Sequence, residues 1–339
     1  MFQLYDQLRE ISRVLCSSEA SVVITSHVKP DADAVGSALG LGLSLRAAGR
    51  RVYFCFQDCP SKALAFLPGA TELMDKGACP GSLPENAILF VLDCNELSRI
   101  GNVAEGLVSI AKTIFVLDHH IQHSVFLDEG RRKGKMYIEC CDTGACATCA
   151  IVYRFLELSG LSLTTDVALN LYAGLLTDTG CFCHNNTEAE TFEIAAALAR
   201  LGVVPNHLTQ ALFQHYPLSR LRLLGETLSG FEMVCHDKAA VMCITSEMYR
   251  RFGASEDDSH DFVSFIREID TVEVAIFIKE FEPGVVVTSL RSKKYFDVEA
   301  LARSFGGGGH FNAAGFKLKG VSAENVRKMI VERLEASLS

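Results

Sequence analysis

Between residues 22 and 140 the chain repeats one pattern, a short apolar run followed by a longer amphipathic stretch. The runs at 22–26, 52–56, 87–92, 113–117 and 136–140 are too short for helices and rich in β-branched residues. Stretches 34–48 and 145–158 instead carry their apolar residues at helical spacing. Strands that are apolar nearly throughout must be covered on both faces, and helices between them supply the cover. The pattern therefore predicts an α/β domain, a mostly parallel and doubly wound sheet, closed by a helix over 187–201.

After residue 200 the pattern changes. "VVPNHLTQALFQHYPLSRLRLLGETLSG" reads as a helical connector punctuated by Pro205 and Pro217. From Phe231 onward come strand-like runs such as "KAAVMCIT" and "GVVVTSLRS", a short helix, a glycine-rich turn and a final amphipathic helix over 323–338. We expect a domain over 1–200, a connector over 201–229, and a smaller mixed-sheet α/β domain over 230–339. A net charge of −9 argues against a broad surface for long nucleic acid. The first residues spell an amphipathic helix rather than a signal peptide, and no apolar run is long enough to span a membrane, so a cytoplasmic location is expected.

Thirteen cysteines, an odd number in a chain able to build its own core, read as reduced thiols rather than a disulfide framework. Cys141, Cys146 and Cys149 follow a C-x4-C-x2-C order that some iron–sulfur proteins use. The plainer reading makes them small buried apolar residues of a helix capped by Asp142 or Thr143.

Polar residues cluster where the apolar runs end. "SHVKPDADAVGS" places His27, Asp31 and Asp33 after the first run; Asp93 ends the third, Asp118, His119 and His120 end the fourth, and Asp178 ends a later one. Any single aspartate there is ordinarily a turn former or helix cap. Together they are not, because ligands of an open parallel sheet bind outside the carboxyl ends of its strands. Several carboxylates gathered in one crevice repel each other unless cations neutralise them. Aspartate with histidine and no thiolate favours Mn²⁺, with Mg²⁺ the alternative, and the donors suffice for two ions about 3.5–4 Å apart, the pattern of hydrolytic phosphoryl transfer.

"HVKPDADAVGS", the Leu-Asp at 92–93, "DHH" at 118–120 and "TDTG" at 177–180 together resemble the four ordered motifs of the DHH phosphoesterase family. "TSLRSKKYFDVEALARSFGGGGHFNAAGF" is similar to the DHH-associated C-terminal domain. The length resembles the bacterial oligoribonuclease and 3′-phosphoadenosine 5′-phosphate phosphatase type. The resemblance implies that His27 and Asp31 bind one metal, that Asp33, His119 and Asp178 bind another, and that Asp93 bridges them. It implies a hydroxide activated by two metals, Asp118 orienting an imidazole, and His120 facing the scissile phosphate. Arg291, Gly307, Gly308, Gly309 and His310 would hold substrate, the glycines through a concavity of backbone N–H groups. Expected substrates are very short RNA and a nucleoside bisphosphate, and a homodimer through the connector is conceivable by the same resemblance. A cyclic- or linear-dinucleotide phosphodiesterase, a single-strand DNA exonuclease and a catalytically silent nucleotide-binding module remain the alternatives.

Overall fold

The computed structural model describes residues 2–74, 83–121, 134–214 and 216–338. The chain divides into two compact units, Met1–Gln214 and His215–Ser339.

In the first unit, strands β1 (Val22–Thr25), β2 (Val52–Phe54), β3 (Ala87–Leu92), β4 (Ala111–Asp118) and β5 (Met136–Cys141) form one wholly parallel sheet, in the order β2-β1-β3-β4-β5. Alternation along β3 sends Ile88, Phe90 and Leu92 to one face and Leu89 and Val91 to the other. The first face is covered by α1 (Phe2–Cys16) and α2 (Ala32–Ala47), the second by α3 (Ala104–Ile110). Helices α4 (Thr148–Leu158) and α5 (Thr165–Asp178) pack against α2, α6 (Ala189–Arg200) packs against α5 and α4, and α7 (Pro205–Phe213) ends the unit. This is the expected doubly wound sheet. The strand order reverses between β1 and β3, which opens a crevice at their carboxyl ends.

Helix α2 is buried along almost its whole length. A side chain at Gly36 would strike the Asn170 carbonyl of α5, and one at Gly174 would lie 2.6 Å from Asp33 Oδ1 and 2.8 Å from Asp33 Cα. Only glycine lets the two helices approach this closely.

One expectation fails in this unit. The helix expected from residue 145 begins at Thr148, and neither Asp142 nor Thr143 caps it. Asp142 instead receives the Gly144 N–H and pairs with Arg154. Asp178, placed by the sequence at the end of an apolar run, is the last residue of α5. A helix buried on all sides is apolar throughout and gives no period to read.

The second unit contains α8 (Leu218–Ser229), α9 (Ser246–Phe252), α10 (Val263–Arg267), α11 (Val298–Arg303) and α12 (Ala323–Leu338). Its strands are β6 (Glu232–Val234), β7 (Ala239–Ile244), β8 (Val274–Glu282), β9 (Val285–Ser292), β10 (Gly308–His310) and β11 (Ala313–Lys319). They form a mixed sheet ordered β10-β11-β9-β8-β7-β6, parallel only between β7 and β8. Leu290, Ala314 and Ile276 face α11 and α12, whereas Met242 and Phe277 face α8–α10. Along β9 the buried residues Val286, Thr288 and Leu290 alternate with the partly exposed Val287, Ser289 and Arg291. Among the described residues, no helix is long and apolar enough to cross a membrane.

Candidate metal centre and substrate site

Asp93 is the hub of the crevice. It follows β3 in the left-handed region, φ +57°, which aspartate tolerates better than most residues, and its N–H donates to the Leu117 carbonyl at 3.0 Å. Its Oδ2 lies 3.2 Å from His27 Nε2, and its Oδ1 lies 3.5 Å from His119 Nε2. Thr148, at the start of α4, donates its hydroxyl to the same Oδ1 at 3.0 Å. The His27 ring is oriented by Nδ1, 2.9 Å from the Val28 carbonyl, so Nε2 faces the carboxylates of Asp93 and, at 4.0 Å, Asp31. Asp31 also caps α2, receiving the N–H groups of Asp33 and Ala34.

On the other side, His119 Nε2 lies 3.1 Å from Asp178 Oδ2 and 3.9 Å from Asp33 Oδ2. Ligand atoms of three groups lie within 4.8 Å of one another: His27, Asp31 and Asp93; Asp33, His119 and Asp178; Asp93, His119 and His120. All six residues expected to bind metal therefore meet in one place. His119 Nε2 is buried and finds no hydrogen-bond partner in good geometry among the described residues, although three carboxylates surround it. A lone pair and anionic oxygens converging on one point fit a cation.

The titration behaviour agrees with that fit. Burial, and then the neighbouring Asp178, raise the Asp33 carboxyl to about 6. Burial followed by Asp33 and Asp31 push Asp93 well above the usual carboxylate range. Burial alone would lower His119, but Asp178, Asp33 and Asp93 outweigh it and hold the imidazole at about 9. Without a metal, this centre is a trap for protons.

Asp118 behaves differently. It is fully buried, and its Oδ1 accepts from His120 Nδ1 at 2.8 Å and from the His120 N–H at 3.2 Å. That bond occupies the nitrogen of His120 that faces Asp93, leaving Nε2 as the outward atom of a half-exposed ring. Asn95 steadies the same loop through the His120 carbonyl at 3.3 Å. Lys29, in the first motif, adopts φ +53°, and its N–H donates to Asp58 at 2.8 Å.

Sequence reasoning missed the start of α4. The N–H groups of Thr148 and Cys149 donate to the two oxygens of Asp33 at 2.6 and 2.9 Å, so the uncapped helix is capped by a carboxylate from α2. Among the described residues no metal-like group includes a cysteine. Burial raises the Cys146 thiol to about 11 and the Cys140 thiol to about 12, so these thiols stay protonated inside the core.

In the second unit, His310, Ala313, Arg291 and Ala275 are paired in one row across four strands. Directly opposed residues point to the same face. Arg291 and His310 therefore rise from the same face on either side of a small alanine. Burial, and then the nearby Arg267, lower the Arg291 pKa, and no carboxylate pairs with it among the described residues. The glycine tract is divided between a helix end and a strand. The N–H groups of Gly306 and Gly307 close α11, and Gly308 and Gly309 belong to the edge strand β10. A side chain at Gly307 or Gly309 would collide with β11, whereas one at Gly308 would meet nothing within 4 Å.

Residues 21–175 match the DHH family N-terminal domain and residues 237–339 match the DHHA1 domain. The chain belongs to the DHH family and is a phosphoesterase. Over 336 residues it is 34% identical to the bifunctional oligoribonuclease and PAP phosphatase NrnA of Thermus thermophilus, covering 99% of this chain and 95% of that one. The NrnA of Bacillus subtilis is 26% identical over 87% of this chain and 88% of its own. An exopolyphosphatase-related protein from Bacteroides fragilis superposes with a TM-score of 0.84 at 26% identity, covering 98% of this chain and 97% of that one.

Proposed function

We propose that this phosphoesterase hydrolyses very short oligoribonucleotides to mononucleotides and converts 3′-phosphoadenosine 5′-phosphate to AMP. The observation that carries the chemistry is the convergence of His119 Nε2 with the carboxylates of Asp33, Asp93 and Asp178, at 3.9, 3.5 and 3.1 Å. The substrate class rests on likeness to the two NrnA relatives over nearly their whole length. In this reading His27 and Asp31 would hold one divalent ion and Asp33, His119 and Asp178 a second, with Asp93 available to both and Mn²⁺ preferred to Mg²⁺. When bound, such ions acidify a water and stabilise charge developing on phosphoryl oxygens. Thr148 steadies the Asp93 oxygen that it touches, and the N-terminus of α4 holds Asp33 in place. Asp118 keeps the His120 proton on Nδ1, so Nε2 is available to exchange a proton with a substrate oxygen. Arg291 and His310 hold a second phosphate.

Turnover with Mn²⁺ of an RNA dinucleotide, the nucleoside bisphosphate, a cyclic dinucleotide and a long single-stranded DNA tests this reading. The first two should be preferred, and preference for either of the others would overturn it. Asp93→Ala should abolish both turnover and Mn²⁺ binding. Asp118→Ala should retain the metal and lose about 10–100-fold in rate, the usual cost of removing an orienting partner.

A further inference from the structure

Two aromatic side chains stand exposed in the segments that follow Arg291 and His310. Tyr295 is 61% exposed and Phe311 is 46% exposed. Phe311 directly follows His310, and Tyr295 lies in the loop that follows Arg291. Neither ring sits on slack backbone. The buried Glu273 receives three consecutive N–H groups on a single oxygen, from Lys294, Tyr295 and Phe296, at 3.0, 2.7 and 2.9 Å. Phe311 and Asn312 form the two-residue turn between β10 and β11, and neither has the positive φ that such hairpins prefer. The turn is held from outside instead. Ser292 N–H donates to the Asn312 carbonyl and Val298 N–H to the Phe311 carbonyl, each at 3.0 Å, and Asn312 Nδ2 donates to Ser292 Oγ at 3.0 Å. The two loops are thus laced into one rigid piece that keeps both rings in water.

From these observations we propose that Tyr295 and Phe311 form a stacking platform for a nucleobase, fixed beside the cationic row that takes the phosphate. The inference rests on the nucleotide substrate assigned above and adds the residues that read its base. A rigid exposed ring suits a flat apolar partner, because ordering it on binding costs little. The half-buried Arg291, without an ion pair among the described residues, asks for an anion next to that partner. A nucleotide carries both, joined by a sugar. Base–aromatic stacking tolerates any base, so such a platform would hold a short RNA whatever its sequence.

The chain contains no tryptophan. Tyr295→Trp therefore introduces a single tryptophan on the platform, whose emission can be excited apart from that of the tyrosines. Its emission should be quenched by an RNA dinucleotide in the presence of EDTA, where no turnover occurs, and should ignore ribose 5-phosphate. Tyr295→Ala should raise KM for the dinucleotide on the order of ten- to a hundredfold with kcat little changed. It should leave unchanged the KM for a dinucleotide analogue whose stacked base has been removed, and Tyr295→Phe should restore the wild-type KM. Equal quenching by ribose 5-phosphate, or equal losses on intact and base-free substrates, would overturn the platform. So would a Tyr295→Ala protein of lower oligomeric state than the wild type, since the surface would then belong to a second copy. If the wild-type protein hydrolyses no dinucleotide, the assigned activity fails instead, and the fluorescence arm still decides whether a base stacks there.

Discussion

Asp33 faces a cluster of negative charge while accepting two N–H groups from the start of α4. The helix terminus favours the anion, yet burial and Asp178 still lift the carboxyl to about 6. Its pKa is higher folded than unfolded, so the stability it contributes is full below the unfolded value of about 3.9 and is lost as pH rises through about 6. His119 has the same sign, its contribution disappearing as pH rises through about 9. A divalent cation must displace both protons, so its stabilising effect grows as pH rises. The rise in Tm on adding Mn²⁺ should therefore be larger at about pH 8.5 than at about pH 5.5. An equal rise at the two pH values would show that these groups do not bind the metal. The aspartates and histidines themselves could be read from their places after apolar runs. The bonds from α4 to Asp33 could not, because the partners lie 115 and 116 positions apart.

At the scale of elements, the decisive packing is α2 against α5, since it sets Asp33 near Asp178. Gly174→Ala would press a methyl group onto the Asp33 backbone and carboxylate, and helices cannot yield there without separating. A loss of about 1–3 kcal/mol in urea unfolding is expected, with weakened Mn²⁺ binding. Gly106→Ala, in α3 with nothing within 4 Å of the added carbon, should instead gain up to about 1 kcal/mol. Similar effects from both substitutions would remove the close approach as the explanation. Strand positions were legible to within two residues because β-branched runs between polar loops carry a plain signal. The true start of α4 was not, since its cap is supplied from another helix. Nor was the extended form of Gly308 and Gly309, which depends on what β11 allows beside it.

Each unit of the whole molecule closes its own cores, and every expected metal-binding residue belongs to the first. Calorimetry should resolve two transitions, of which Mn²⁺ raises only one. A single transition, or two moving together, would mean that the units unfold as one. The change of pattern near residue 231 marked the second sheet. The division between Gln214 and His215 falls in the short break between α7 and α8, inside what the sequence reads as one helical connector.

Strand β10 is the last strand on its side of the second sheet, and all three of its residues are exposed. Such a border can recruit a strand from another molecule and begin aggregation. Here the invitation is poor, because three residues offer few pairing sites and two of them are glycines, which disfavour extended pairing. Protection against edge-to-edge pairing thus comes from the same short segment that leaves His310 uncovered. Gly308→Val, whose added carbon meets nothing within 4 Å, should fold normally yet raise light scattering at high concentration. A variant as soluble as the wild type would show that other features guard this border.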